Sequence, residues 1–293
     1  MKQGIVVRGY AGFYYVQEED KIWECSLRGK FRYLKQNVLV GDRVKIRPVE
    51  EEKKKAVIEE VLPRFNELLR PPIANVDQAV IVMAFKNPDP SLYLLDRLLV
   101  LAEASSIEPA IVFNKIDLVD EETASSILEV YRQAGYAAVS TSAVSGAGID
   151  ALRELLKGKV SVFAGPSGVG KSSLLNALQP GLSLQTGEVS SKIGRGRHTT
   201  RRVELLVLQS GGWVADTPGF SVIDLPSMSR QDLAYYFREF REELGRCRFT
   251  SCLHRGEQGC AVTEAVKAGR ISSSRYWHYR EFLEEVIKNE QRY

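Results

Sequence analysis

Between residues 1 and 62 the apolar positions come in short runs: GIVVRGY, FYYVQ, KIWECSL, DRVKIRPV and AVIEEVL. Gly, Asp and charged residues separate them. Runs of this length with turn chemistry between them predict five strands, enough for a small OB-like β-barrel. Residues 63–78, PRFNELLRPPIANVDQ, are Pro-rich and have no period, which predicts a linker. The rhythm then changes. AVIVMAF, AIVFNK, AAVSTSA, KVSVFAG, VELLVL and WVADTPG alternate with stretches of helical spacing such as SLYLLDRLLVLAEASS. Buried strands alternating with helices predict a doubly wound α/β layer with a mostly parallel sheet. Past about Ile223 strand-type runs stop, and RQDLAYYFREFREEL and RYWHYREFLEEVIKNEQ read as helices. The pattern divides the chain into a barrel (1–64), an α/β domain (65–224) and a helical C-terminal domain (225–293).

Composition adds little until it is resolved along the chain. The 293 residues are 44% hydrophobic and 26% charged, with a net charge of +3. Residues 1–70 carry 15 Lys+Arg against 11 Asp+Glu, residues 226–293 carry 12 against 10, and the middle carries 13 against 16. Basic flanks around a slightly acidic centre suit contact with a polyanion. In the barrel, Tyr10, Phe13, Tyr14, Tyr15, Trp23, Phe31 and Tyr33 interleave with Arg8, Arg28, Lys30, Arg32 and Lys35. Bases stack on aromatics while cations hold phosphates, so the mixture suits RNA; the same aromatics are also natural barrel core. No apolar run reaches the roughly 18 residues of a membrane span, and MKQGIVVRGY lacks a signal-peptide core. The expectation is a cytoplasmic protein with no membrane partner.

The α/β region carries the chemistry. Gly165-Pro-Ser-Gly-Val-Gly-Lys-Ser172 fits G-x-x-x-x-G-K-[ST] and stands between an apolar strand and the helical stretch SLLNAL. That is the context a phosphate-binding loop requires. Backbone N–H groups of Gly168, Val169 and Gly170 can cradle phosphates, Lys171 can reach the β- and γ-phosphates, and the Ser172 hydroxyl can bind Mg²⁺. Ala164, Gly165, Pro166, Ser167 and Ser173 complete the candidate phosphate set. In NKID, the Asp117 carboxylate can accept from the ring N1–H and 2-amino group of guanine, donors that adenine lacks. Asn114 can contact the Hoogsteen edge, and the Lys115 stem can lie across the ring, with Ile116 beside them. STSA supplies a second loop, Ser142 and Ala143, where the Ala143 N–H could meet the base O6.

DTPG ends another apolar strand, placing Asp216 near Mg²⁺, directly or through water, and the Gly219 N–H toward the γ-phosphate. Between lies GRGRHTTRR, with Thr200, or alternatively Thr199, as a second hydroxyl ligand of Mg²⁺. Gly194 and Gly196 suggest a segment that γ-phosphate contacts would order. These loops come in the order NKID, SA, phosphate loop, Thr, DTPG, whereas a guanine-nucleotide domain ordinarily opens with its phosphate loop. The set is complete but rotated, as circular permutation leaves it when termini lie close together. The position after Gly219, where many such enzymes place a water-orienting Gln, is Phe220. Intrinsic turnover is therefore expected to be slow. His198 is the internal candidate for positioning water, with a solvent-exposed or RNA-contacting residue as its other reading; Arg195, Arg197, Arg201 and Arg202 suit RNA phosphates rather than an arginine finger.

Three of the four cysteines cluster: Cys247-x4-Cys252-x-His254-x5-Cys260. Three thiolates and an imidazole suit a closed tetrahedral zinc site of structural type. Cys25 stands alone as barrel core, and His278 reads as packing or surface.

Barrel, rotated nucleotide domain and cysteine cluster together resemble the bacterial ribosome small-subunit-dependent GTPase A (RsgA) family, over the whole chain. The resemblance implies a GTP hydrolase that binds the small ribosomal subunit and its rRNA and assists late subunit maturation. It also implies Lys171, Thr200 and Gly219 as catalytic elements, Mg²⁺ with GTP, and one structural zinc. A monomer is expected. Two other readings stay open. One is an RNA-binding assembly factor for which GTP is only a conformational ligand; the other is a zinc-containing ATPase, which Asp117 disfavours.

Overall fold

The computed structural model describes residues 1–10, 12–28, 37–69, 72–180, 203–215 and 224–291. Candidate residues His198, Thr199, Thr200, Asp216, Gly219 and Phe220 lie outside these, as do the glycines and arginines of 194–202 and Lys30, Phe31, Arg32, Tyr33 and Lys35. The chain divides into two compact units. One comprises Met1–Ala79, Ile149–Ala164 and Lys171–Ser221; the other Val80–Gly148, Gly165–Gly170 and Val222–Tyr293.

In the first unit, strands β1 (Lys2–Tyr10), β2 (Phe13–Glu18), β3 (Lys21–Leu27), β4 (Arg43–Glu50) and β5 (Lys55–Val61) close a barrel in the order β1-β2-β3-β5-β4. Closure leaves no unpaired edge, and alternation sends Val6, Val16, Trp23, Val44, Ile46 and Ile58 inward. The expected core cysteine is there: Cys25 is fully buried, and burial pushes its thiol up to about 12. The aromatics divide. Trp23 is core, whereas Tyr10 and Phe13 are 58% and 47% exposed.

The stretch expected to be a linker is a built joint. It contains the antiparallel pair β6 (Glu67–Leu69) and β7 (Pro72–Ala74), with Ile73, Ala74 and Val76 fully buried. Its order comes from side chains bonding backbone, which a hydrophobic period does not reveal. Arg64 grips the buried Asp42 at 2.7 Å, and Asn66 pairs both ends of its amide with Val76 at 2.8 Å.

The second unit carries β8 (Gln78–Ala84) from Val80 onward, β9 (Glu108–Asn114) and β10 (Ala137–Ser140), in the order β10-β9-β8. Helix α1 (Leu92–Ala104) follows β8 and α2 (Glu121–Gln133) follows β9. Both begin at side-chain caps: Ser91 accepts from the Leu94 N–H and Asp120 from the Thr123 N–H. The first unit adds α3 (Ile149–Leu156), β11 (Val160–Ala164), α4 (Lys171–Leu178), β12 (Leu205–Val207) and β13 (Trp213–Ala215). There β11 and β13 are parallel, and β12 lies antiparallel on β13.

Beyond residue 224 no strand occurs among the described residues; α5 (Ala261–Lys267) and α6 (Ser273–Glu290) frame the cysteine cluster. RQDLAYYFREFREEL, expected as a helix, instead forms two short 3-10 turns, Leu233–Tyr236 and Arg238–Phe240. Phe237, extended between them (φ −101°, ψ 102°), breaks the helix so that Phe237 and Phe240 both reach the core while Arg238 turns to Glu103 and Glu108. No helix among the described residues is long and apolar enough to cross a membrane.

Candidate nucleotide site and metal centre

In chain order, β11 ends at Ala164, six residues form a loop, and α4 opens at Lys171. At two positions the loop passes too close to its neighbours for a side chain. At Gly165 (φ +128°) a Cβ would sit 2.1 Å from the Val82 carbonyl oxygen, and at Gly170 (φ +95°) one would sit 2.3 Å from Asn114 Nδ2. Glycine is needed at both positions. In the first unit, Lys171 and Ser172 are half-buried at the helix start, and burial pulls the Lys171 ammonium below the usual lysine pKa.

Within the second unit, NKID, STSA and the glycine loop are bonded to one another. Asn114, 1% exposed, donates from Nδ2 to the Val169 carbonyl at 2.9 Å. Its Oδ1 accepts from Thr141 Oγ1 at 3.3 Å and from the Ala143 N–H at 3.2 Å. The sequence reading set Asn114 and the Ala143 N–H against the base; in the structure these two groups meet each other. Lys115, left-handed at φ 64°, donates from Nζ to the Gly168 carbonyl at 2.8 Å and to the Asn87 carbonyl. Buried Ser142 accepts from the Val144 and Ser145 N–H groups, which shapes the second loop. The Asp117 carboxylate stays on an exposed residue, open to a ligand.

Sequence reasoning missed two members of this assembly. Thr141 is fully buried between the loops. The loop at Asn87 leaves the C-terminal end of β8, and Pro88 Cδ is the nearest atom, at 3.7 Å, to a Cβ built on Gly168. Thr141 lies inside STSA, where attention went to Ser142 and Ala143; for Asn87 the signal was a polar, Pro-rich loop at the end of a buried strand, where α/β sheets place ligands.

The four residues of the cysteine cluster converge. The sulfurs of Cys247, Cys252 and Cys260 and a ring nitrogen of His254 lie within 4.8 Å of one another. His254 Nδ1 is 3.5 Å from the sulfurs of both Cys247 and Cys260. A tetrahedral ion with bonds of about 2.3 Å to sulfur and 2.0 Å to nitrogen has S···N edges of about 3.5 Å, the spacing His254 already has to Cys247 and Cys260. Burial raises the Cys252 thiol pKa and lowers that of the His254 imidazole. The neutral imidazole is the ligating form, and a cation would offset the cost of thiolates there.

The supporting groups are specific. Glu257 accepts from the Leu253, Arg255 and Gly256 N–H groups, wrapping the chain so that His254 (φ 56°) faces inward. From α6, the hydroxyls of Tyr276 and Tyr279 donate to the His254 and Leu253 carbonyls, each at 2.9 Å. The cluster can hold a metal.

Comparison with known proteins places this geometry. The RsgA GTPase domain model matches residues 61–226, and the RsgA N-terminal domain model matches residues 3–58. The small ribosomal subunit biogenesis GTPase RsgA of Moorella thermoacetica is 56% identical over 289 residues, 99% of each chain. Its counterpart in Caldanaerobacter subterraneus subsp. tengcongensis is 52% identical, covering 99% of this chain and 97% of its own. Among solved structures, YjeQ from Thermotoga maritima superposes with a TM-score of 0.84 at 42% identity, over 98% of both chains. YloQ, a circularly permuted GTPase, gives 0.84 at 41% identity over 99% of this chain and 96% of its own. The rotated order of loops, the closed barrel and the Cys3His cluster thus have one common explanation: the chain belongs to the RsgA family of circularly permuted GTPases.

Proposed function

We propose that this protein binds the small ribosomal subunit through its rRNA, assists a late step of its maturation, and hydrolyses GTP to GDP and phosphate under stimulation by that subunit. One observation carries the nucleotide part: the bonding of NKID and STSA to the glycine loop through Asn114 and Lys115. It brings a base-reading carboxylate and a phosphate cradle into one assembly. The relatives' shared name supports the ribosomal part. The exposed Tyr10 and Phe13 and the Arg8 guanidinium stacked 4.2 Å above Tyr15 support RNA contact by the barrel.

In this reading Asp117 selects guanine, with Asn114, Lys115, Ile116, Ser142 and Ala143 shaping its pocket. Ala164 to Ser173 hold the phosphates, whose charge offsets the desolvation of Lys171. Mg²⁺, when bound, neutralises charge between the β- and γ-phosphates; Ser172, Thr200 and Asp216 would hold it. Lys171, Thr200 and the Gly219 N–H serve the transition state, and His198 positions water in place of the side chain that Phe220 lacks. Cys247, Cys252, His254 and Cys260 hold one structural zinc, since four protein donors leave no place for water. Residues 1–64, 65–224 and 225–293 form the barrel, GTPase and zinc domains. The protein acts in the cytoplasm as a monomer.

The test is phosphate release by purified protein alone, with small subunits, and with large subunits as control. Stimulation by small subunits only is expected. Phe220 favours a second reading, in which GTP only places the factor. Nucleotide-dependent binding without stimulated release would decide for it. Absence of subunit binding in every nucleotide state would overturn both.

A further inference from the structure

The hairpin of β12 and β13 has an unusual position in the chain. Thr200 stands five residues before Leu205, where β12 begins, and Asp216 directly follows Ala215, where β13 ends. In the register Leu205 faces Ala215. Both segments proposed to contact the γ-phosphate therefore join the same end of one two-stranded ribbon. Whatever holds that ribbon sets where both segments start.

Two contacts hold it to the barrel. Near its turn, Trp213 donates from Nε1 to Gln17 Oε1 on β2 at 2.7 Å. Near its other end, Glu204 forms a bridge to Arg8 of β1, and their side chains pair at 3.5 Å. The first contact is the stronger device. Gln17 Nε2 donates to the Glu19 carbonyl at 2.9 Å, which fixes the carboxamide so that its oxygen faces the indole. The Trp213 main-chain N–H donates to the Lys159 carbonyl at 2.8 Å, and a Cβ on the preceding Gly212 would lie 2.4 Å from the Leu156 carbonyl oxygen. The ribbon is thus pinned on one side by α3 and β11 and on the other, among the described residues, by the Trp213–Gln17 bond and the Glu204–Arg8 bridge. The Arg8–Glu204 pair is half-exposed and is worth little by comparison.

We infer that Gln17 and Trp213 are positioning residues for GTP hydrolysis: through their hydrogen bond the barrel holds the ribbon from which both γ-phosphate segments leave. The inference rests on the GTPase reading above. It assigns the barrel a part in turnover besides RNA contact, because a force or ligand on β2 reaches the ribbon through one bond. Base and phosphate recognition is built from other loops, so loss of the bond spares nucleotide affinity and slows the chemical step.

The experiment compares wild type, Trp213→Phe, Gln17→Leu and the double variant in the full-length protein. Trp213→Phe keeps an aromatic ring and removes only the donor. Each single variant is expected to lose about fivefold in kcat, the effect of one neutral hydrogen bond, with KM for GTP and affinity for GDP unchanged within about twofold. The double variant is expected to be no slower than either single, because both remove the same bond. Thermal unfolding and zinc content of each variant identify any that is merely misfolded. For that case Gln17→Glu, which keeps an acceptor toward the indole, is expected to retain more activity than Gln17→Leu. Multiplicative losses in the double variant, unchanged kcat in both singles, or a loss confined to KM would overturn the inference. Failure of the wild type to bind or hydrolyse GTP would instead overturn the GTPase reading.

Discussion

The barrel interior is filled by Val6, Val16, Trp23, Cys25, Val38, Val44, Ile46, Ala56 and Ile58. Beyond residue 224 the core mixes Phe237, Phe240, Tyr279 and Phe282 with a fully buried Arg275, which pairs with Asp96 and with Glu239. His278, read from sequence as packing or surface, is also buried and bonds the second oxygen of Asp96. Every barrel strand is paired on both sides, so backbone ladders hold its shape and apolar area holds it shut. The C-terminal region has no ladder among its described residues. Its chain path depends on discrete side-chain bonds: the tyrosine hydroxyls of α6, the Glu257 wrap, the Arg275 network and the converging Cys3His cluster. A core of the first kind loses stability by degrees. One of the second kind fails when a single partner is removed, because the remaining polar groups are buried without compensation.

The sharpest way to break this contrast is to remove a ligand of the proposed zinc site. Cys260→Ser is expected to abolish zinc retention and to remove hydrogen-exchange protection across 224–291, while barrel amides stay protected. The metal contributes on the order of 10 kcal/mol to folding of such sites. Zinc content together with residue-resolved exchange checks this, and barrel amides opening in step would disprove the division of labour. Next comes Arg275→Met, which strands Asp96 and Glu239 in the interior. It should cost about 3–5 kcal/mol, read from denaturant unfolding, and its effect should again stay outside the barrel. In the barrel, Ile58→Ala should cost about 2–5 kcal/mol with zinc retained.

The smallest effect is expected at Glu59→Gln on the barrel surface. Hydrogen bonds from Arg47 and then Arg28 hold the Glu59 carboxyl below its usual pKa. Its contribution is therefore present above the ordinary glutamate value and lost as pH falls through the lowered one. The variant should be marginally less stable at neutral pH and equal to wild type in strong acid, which paired thermal melts at both pH values would show.

Much of the architecture was legible because it rests on local rules. Alternation and turn residues marked all five barrel strands. Gly165 to Ser172 announced itself because cradling phosphates requires glycines and a lysine at fixed spacing, and Cys247 to Cys260 because a tetrahedral ion requires four donors within reach of one another. The joint at 63–78 escaped because Asn66, Asn75 and Arg64 order it through bonds to distant backbone and to Asp42. The helix expected around residue 237 failed for a related reason: helical periodicity could not satisfy two phenylalanines, Arg238 and Glu239 with partners in different directions.

By itself, then, the sequence determined most of the kinds of element, the rotated order of the loops and the candidates for the residues bearing chemistry. These follow from periodicity and from donor and acceptor inventories that do not depend on the rest of the chain. Tertiary structure alone decided how those residues are used. Asn114 and Lys115 tie loops together, Arg275 is buried rather than solvated, and Trp213 reaches across to Gln17. Each of these joins positions far apart in sequence, and a partner that far away leaves no mark on the local pattern of either residue.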